Sequence, residues 1–136
     1  MISVLIDSAE QSFVDREKIR KVIESFLKKQ KIDDVEISLK FVGREEMRRL
    51  NRDYRDLDEP TTILAFSQQE QKKGLAFKKP PRTVRNLGDL VLCREEMEKK
   101  GLSLDNLLVH GLKNLLRFDG QSGLLTKIST AKDLRT

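Results

Sequence analysis

The sequence has few of the residues that build metal sites and disulfides, and no run long enough to span a membrane. It contains one histidine, His110, and one cysteine, Cys93, so no internal disulfide can form. A lone cysteine favours a reducing, cytoplasmic location. No apolar run approaches the roughly 18 residues that a membrane-spanning helix needs. The first residues, MISVLIDSAEQSF, lack the basic leader of a signal peptide. We therefore expect a cytoplasmic protein without membrane contacts.

Positive charge is concentrated in one segment of the chain. The 136 residues are 38% hydrophobic and 36% charged, which predicts one compact domain with a heavily charged surface. The net charge of +5 lies in residues 68–86, QQEQKKGLAFKKPPRTVRN, because acids and bases balance elsewhere. Such a segment fits either an RNA contact or a solvated loop that keeps the protein soluble. The candidate RNA-binding residues are Lys72, Lys73, Lys78, Lys79, Arg82 and Arg85.

Hydrophobic periodicity predicts the order β, α, β, α, β, β, α, α. The final two strands are expected to form an antiparallel hairpin with residues 68–86 at its tip. Alternation in the second strand predicts one buried face, with Glu36, Ser38 and Lys40 on the other face. The element order predicts an α+β fold, a single small domain in which helices pack on a mixed sheet. The predicted strands are 2–6, 35–42, 62–66 and 87–93, and the predicted helices start after Asp15, Gly43, Cys93 and Ser103.

Three stretches, in this order along the chain, resemble the YbeY family of bacterial metal-dependent endoribonucleases, which act in ribosomal RNA maturation. LNRDYRDLDEPTTILAF resembles the family pattern L-N-x-x-Y-R-x-x-D-x-P-T-[DN]-V-L-S-F. NLGDLVLC resembles its L-G-D-I-x-I strand, and VHGLKNLLRFDG resembles its V-H-G-x-L-H-L-x-G-Y-D-H helix. The resemblance implies a YbeY-like domain over residues 1–120, and we expect the tail, 121–136, to be loosely ordered.

The resemblance also implies a metal site, which this sequence retains only in part. Family histidines at positions i, i+4 and i+10 would hold a zinc ion that activates a water molecule. His110 is the one retained candidate metal ligand, because Asn114 and Gly120 stand at the other two positions. A neutral amide binds zinc poorly, and glycine offers no ligand. We therefore expect no complete site, and no bound zinc cofactor in the protein as purified.

Other residues of these stretches have a functional or a structural interpretation. The resemblance places Arg55 in a cleft, as a candidate catalytic residue that contacts RNA phosphate. The alternative is a surface ion pair with a neighbouring acid, Asp56, Asp58 or Glu59. A helical wheel places His110 and Asn114 away from the leucine face, and the structural interpretation of His110 is a solvated or hydrogen-bonded side chain with no ligand role. Asp89 is expected to bond backbone at a strand end, and Gly111 to permit close packing. Arg117 replaces the family's helix-ending glycine, so the last helix should continue past it.

Three functions follow as hypotheses. The first is an endoribonuclease that cuts single-stranded RNA. The second is a non-catalytic protein that binds RNA or ribosome-assembly factors on the same fold. The third is a structural role in which the basic segment only confers solubility. The resemblance favours a protein of ribosomal RNA maturation and ribosome assembly. The missing ligands favour loss of its zinc site, with nuclease activity weak or absent.

Overall fold

The computed structural model describes residues 1–8, 14–67 and 85–118, with side chains placed as far as Leu116. The predicted order of elements is confirmed. The strands are β1 (Ile2–Asp7), β2 (Val35–Phe41), β3 (Ile63–Ser67) and β4 (Arg85–Leu92). The helices are α1 (Arg16–Lys29), α2 (Arg44–Arg55), α3 (Arg94–Lys100) and α4 (Leu104–Phe118). The expected hairpin tip and the tail at 121–136 lie outside the described residues. No helix in the described ranges has both the length and the apolar character to cross a membrane.

The four strands form one mixed sheet in the order β1, β2, β4, β3. β2 runs parallel to β1 and to β4, whereas β3 runs antiparallel to β4, so the predicted hairpin pairing and the α+β class are confirmed. The prediction that β2 has only one buried face is wrong. Glu36 is 3% exposed, because β2 is an interior strand of a sheet that packs against helices on both faces.

The alternating strand residues build a separate core on each face of the sheet. α1 and α4 pack on one face, where Leu27 and Leu112 meet β2, β3 and β4 residues such as Ile63. α2 packs on the other face, where Met47 joins Leu64, Phe66, Val91 and Cys93. Burial raises the pKa of the Cys93 thiol above its ordinary value, so this residue behaves as a small apolar side chain, as predicted.

The predicted helix boundaries have local causes. The Asp15 side chain accepts a hydrogen bond of 3.1 Å from the backbone N–H of Lys18, which caps α1. The Ser103 hydroxyl accepts one of 3.2 Å from the N–H of Asn106 and caps α4 in the same way. Gly101 ends α3 with a φ of 63°, in the left-handed region that glycine adopts without strain.

Gly111 lets α4 approach the sheet more closely than any other residue would. A Cβ atom at this position would lie 2.8 Å from Ile63 Cδ1 and 2.8 Å from Leu90 Cδ2. Both neighbours are almost completely buried, so neither can move aside without disturbing the core. The predicted packing role of Gly111 is therefore confirmed, and β3 and β4 are held against the middle of α4.

We predict that Gly111→Ala destabilises the protein, although alanine is the better helix former by about 1 kcal/mol. Overpacking a tight core costs about 1–3 kcal/mol, and here it should outweigh the helix propensity. The measurement is the free energy of unfolding in urea. Gly43→Ala is the control, because the nearest atom to its new Cβ would be 3.9 Å away. A Gly111→Ala variant as stable as the parent would show that α4 does not touch the sheet here.

Candidate functional site

Arg55 lies at the end of α2 and reaches the edge strand β3. Its Nη2 donates a hydrogen bond of 2.7 Å to the carbonyl oxygen of Ala65, and its Nη1 donates one of 3.0 Å to that of Tyr54. The guanidinium carbon lies 5.0 Å from the centroid of the Phe66 ring. Tyr54 meets the same ring edge-on, with centroids 5.3 Å apart. These contacts fix the direction of the cation.

One of the three acids offered as alternative partners of Arg55 pairs with a different arginine. Asp58 accepts hydrogen bonds of 2.9 and 3.3 Å from Arg48, which also lowers the pKa of the Asp58 carboxyl. Arg55 instead bonds backbone carbonyls and covers an aromatic ring. Asp58 is therefore not the ion-pair partner of Arg55, and the role of Arg55 in a cleft stays a prediction.

β3 is the edge strand within the described ranges, since only β4 pairs with it there. The backbone N–H of Cys93 bonds the carbonyl of Thr62, so the backbone of Thr62, Leu64 and Phe66 faces β4. The backbone groups of the residues between them point to the free edge, and Arg55 bonds one of these, the carbonyl of Ala65. Arg55 therefore lies beside the outer edge of the sheet.

The face of the sheet below Arg55 carries polar side chains whose burial the sequence did not predict. Ser38, Asp89 and Phe66 lie side by side on three neighbouring strands, and Arg55 covers the last of them. Asp89 is 1% exposed and lies within β4, so the expected position at a strand end is wrong. The buried Glu36 lies on the same face two residues from Ser38. The alternation of β2 identifies this face but not the helix that packs against it.

α4 brings His110 and Asn114 to the opposite face of β3. His110 directly precedes Gly111, whose backbone touches Ile63 and Leu90. His110 is half-buried with its Nε2 hidden from solvent, and Asn114, one turn further along, is only 6% exposed. The expectation that this side of the helix lies off the buried face is therefore wrong for Asn114, whereas His110 is only half-buried. The close contact at Gly111 buries the flank of the helix as well as its leucine face.

Two of the three family metal-ligand positions, 110 and 114, lie in the described part of the chain. No group of three or more His, Cys, Asp or Glu side chains there is arranged to hold a metal ion. Asn114 puts a neutral amide on a buried residue at the second ligand position, and an amide is a poor zinc ligand. Asp119 and Gly120 lie outside the described residues, and Gly120 has no side chain to offer. The residues present do not fit a three-histidine zinc site.

The buried polar groups near β3 differ in whether they have a hydrogen-bond partner. Asn51 is fully buried and donates a hydrogen bond of 2.8 Å from Nδ2 to the carbonyl of Glu59, which ties the loop after α2 to the helix. The hydroxyls of Thr61, Thr62 and Ser67 are buried and have no hydrogen-bond partner among the residues described. Buried hydroxyls of this kind ordinarily bond water or a ligand group, and these three flank β3 at its two ends.

The basic candidates fall mostly outside the described ranges. Lys72, Lys73, Lys78, Lys79 and Arg82 cannot be placed relative to Arg55. Arg85 is exposed and opens β4 at the end of that strand nearest the basic segment. Because Arg85 pairs with Val35, it lies at the opposite end of the sheet from the Thr62–Cys93 contact.

Comparison with known proteins connects this geometry to a family. The model of the family described as Endoribonuclease YbeY matches residues 5–123. The chain belongs to the YbeY family. The curated Endoribonuclease YbeY of Bacillus cereus strain B4264 is 34% identical, with 87% of this chain and 84% of that protein covered. The protein of the same name from Bacillus thuringiensis strain Al Hakam has the same identity and coverage.

One solved structure is also similar. The solution structure of TM1509 from Thermotoga maritima matches with a TM-score of 0.46 and 21% identity, covering 85% of this chain and 69% of that one. In the YbeY-family chain described here, the three motif stretches occupy the end of α2 with β3, the strand β4, and α4. All three therefore meet at the β3 edge of the sheet.

We predict that Arg55→Lys destabilises the protein, because an ammonium group cannot keep both carbonyl bonds and the ring contact. Hydrogen bonds to a charged group contribute about 1.5–3 kcal/mol each, so losing one should be measurable in urea unfolding. Arg52→Lys is the matched control, since Arg52 lies on the same helix, is exposed, and bonds only its neighbour Asp53 among the contacts described. Equal stability of the two variants would contradict the role of Arg55 in holding the end of α2 to β3.

Proposed function

We propose that this YbeY-family protein binds RNA in the cytoplasm and acts in ribosomal RNA maturation and ribosome assembly, with zinc-dependent cleavage weak or absent. The observation that carries the proposal is the buried amide of Asn114, one helical turn from His110. The family match and the relatives named Endoribonuclease YbeY support RNA as the partner. The alternative is a non-catalytic protein that binds RNA or a ribosome-assembly factor.

The cleavage half of the proposal rests on ligand chemistry. Catalytic zinc sites hold the ion with three protein ligands and leave one position for water. Here the helix supplies one imidazole and one amide, and the third family position is Gly120. An amide oxygen is a weak ligand for zinc and carries no charge to offset that of the ion. The site is therefore expected to bind zinc too weakly to retain it through purification.

The binding half of the proposal rests on Arg55 and the basic segment. A guanidinium group suits phosphate because its planar donors match phosphate oxygens. Arg55 is held by two carbonyls and the Phe66 ring at the edge of the sheet. It would therefore bind an RNA strand without first losing much side-chain entropy. The six basic residues from Lys72 to Arg85 would add attraction that does not depend on base sequence.

We predict that the protein purified without added metal contains far less than one zinc ion per chain. Metal analysis of the intact protein measures this directly. Near-equimolar zinc, lost on His110→Ala, would overturn the proposal.

Restoring the family ligands provides the converse test. Asn114→His with Gly120→His should raise zinc affinity greatly but short of a complete family site, because α4 continues through Arg117 to Phe118 and the family turn is not made. Adding Arg117→Gly should raise it much further, since glycine permits the left-handed residue that ends a helix. A triple variant that binds zinc no better than the parent would show that more than these three positions separates this chain from a zinc-binding relative.

We predict that single-stranded RNA binding weakens as salt rises, because phosphate contacts release counterions. Each neutralised phosphate contributes a slope of about −0.7 in a plot of log affinity against log salt, so three or four contacts give roughly −2 to −3. Lys78→Ala with Lys79→Ala should flatten the slope and weaken binding equally for unrelated sequences. Fluorescence anisotropy with two unrelated oligonucleotides measures both effects.

The matched control for the basic segment is Lys99→Ala with Lys100→Ala. These adjacent lysines lie in the last turn of α3, outside the segment, and their removal changes the net charge by the same amount. RNA affinity that ignores salt, or that falls equally in both variants, would leave residues 68–86 with a solubility role only.

A further inference from the structure

A second basic surface lies on the outer side of α1. Six basic residues and two acids, Glu17 and Glu24, occupy the stretch Arg16–Lys29. Lys21, Lys28 and Lys29 are exposed, and the exposed Ser25 lies one turn from Lys21 and from Lys28 and Lys29. At 1.5 Å rise per residue, Lys21 and Lys29 are about 12 Å apart along the helix axis. Three ammonium groups thus surround one small hydroxyl side chain.

The lysines of this row have no ion-pair partner within the described structure, whereas most other charged helix residues do. On α2, Arg48 pairs with Asp58 at 2.9 Å, and Arg44 pairs with Glu96 of α3 at 2.7 Å. Arg94 of α3 pairs with Glu98 at 3.1 Å. Glu24 precedes Lys28 by one turn, the spacing that favours a pair, yet no such pair forms in the part of the chain described. Lys21, Lys28 and Lys29 are therefore not held in salt bridges in the described residues, although Lys28 also acts electrostatically on Asp33.

The chemistry of this row fits a polyanion and argues against a membrane. The apolar side of α1 is already used, because Ile19, Ile23 and Leu27 are fully buried in the core. A helix that binds a membrane surface needs an exposed apolar face beside its basic one. Ammonium groups on flexible stems contact phosphate as point charges and do not read bases. The row therefore suits a sugar–phosphate backbone.

We propose that the outer row of α1, formed by Lys21, Ser25, Lys28 and Lys29, is a second RNA-contact surface that binds phosphates without sequence preference. It is separate from the β3 edge, since α1 contacts β1 at the other edge of the sheet. Three strand spacings of about 4.8 Å separate the two edges, so one RNA that reached both would have to cross the molecule. The identity of the polyanion as RNA rests on the proposed function.

The test compares two adjacent lysine pairs that occupy the same position, the last turn, in their helices. Lys28 and Lys29 lie in the last turn of α1, and Lys99 and Lys100 lie in the last turn of α3. Both pairs favour the helix C-terminus to the same extent. The two pairs differ in the charge of the helix around them. α3 carries three acids in seven residues, Glu95, Glu96 and Glu98, and so has no net charge. The variants are Lys28→Gln with Lys29→Gln, and Lys99→Gln with Lys100→Gln, each in the full chain.

The probe is a mixed-sequence single-stranded RNA, titrated at several salt concentrations. The α1 variant should bind roughly 5- to 25-fold more weakly at 0.1 M salt and lose about 0.7–1.4 units of slope, as for one or two phosphates. The α3 variant should bind as the parent does, and urea unfolding should give both variants the same midpoint. Equal loss in both variants, or no loss in either, would overturn the second surface.

The two proposals fail in distinguishable ways. If the Lys78→Ala, Lys79→Ala variant loses affinity while the α1 variant does not, the second surface is wrong and the proposed function stands. If the parent protein binds no RNA, the proposed function and RNA as the partner of α1 are both wrong. If the α1 variant weakens binding as expected and the basic-segment variant does not, α1 is the main contact and residues 68–86 are not.

Discussion

The close contact between α4 and the sheet at Gly111 is the constraint on which the candidate site depends. With no side chain at this position, the helix backbone lies against Ile63 and Leu90, where a Cβ would be 2.8 Å from both side chains. The same approach places the preceding residue, His110, beside β3 and buries Asn114 one turn later. Any ligand-binding chemistry on α4 must therefore take place in a tight, mostly buried space, where an amide cannot rearrange freely. The contact also sets the position of β3, which Arg55 reaches from the opposite side.

Sequence reasoning predicted the elements well because their signals are local. The caps at Asp15 and Ser103, the stop at Gly101 and the strand alternation each depend on residues within one or two turns. The mixed sheet followed from the order of elements. These features needed no knowledge of which strand lies beside which.

The errors concern surfaces that other elements cover. Glu36 was expected on the unburied face of β2 and Asn114 away from the leucine face of the last helix, and both are buried. A helical wheel or a strand alternation shows which residues share a face, but the number of faces that become buried depends on packing partners distant in sequence. The partner of Asp58 was not identified either, because Arg48 reaches it from the preceding helix across the loop after α2.

The retained motif residues that hold the fold can be distinguished from the residues at the family's metal-ligand positions. Asn51 ties a loop to α2, Asp58 pairs with Arg48, and Gly88 has a φ of 138° where a Cβ would lie 2.2 Å from the Phe66 carbonyl oxygen. Each of these is needed for the fold whether or not a metal is bound. Position 114, by contrast, is buried beside this scaffold, and no hydrogen bond of its side chain is among those described. The scaffold contacts of Asn51, Asp58 and Gly88 do not involve position 114. Arg55 supports the fold and is also a candidate contact residue. Its bonds to two carbonyls stabilise the edge strand, and the same bonds orient the guanidinium group along the outer edge of the sheet.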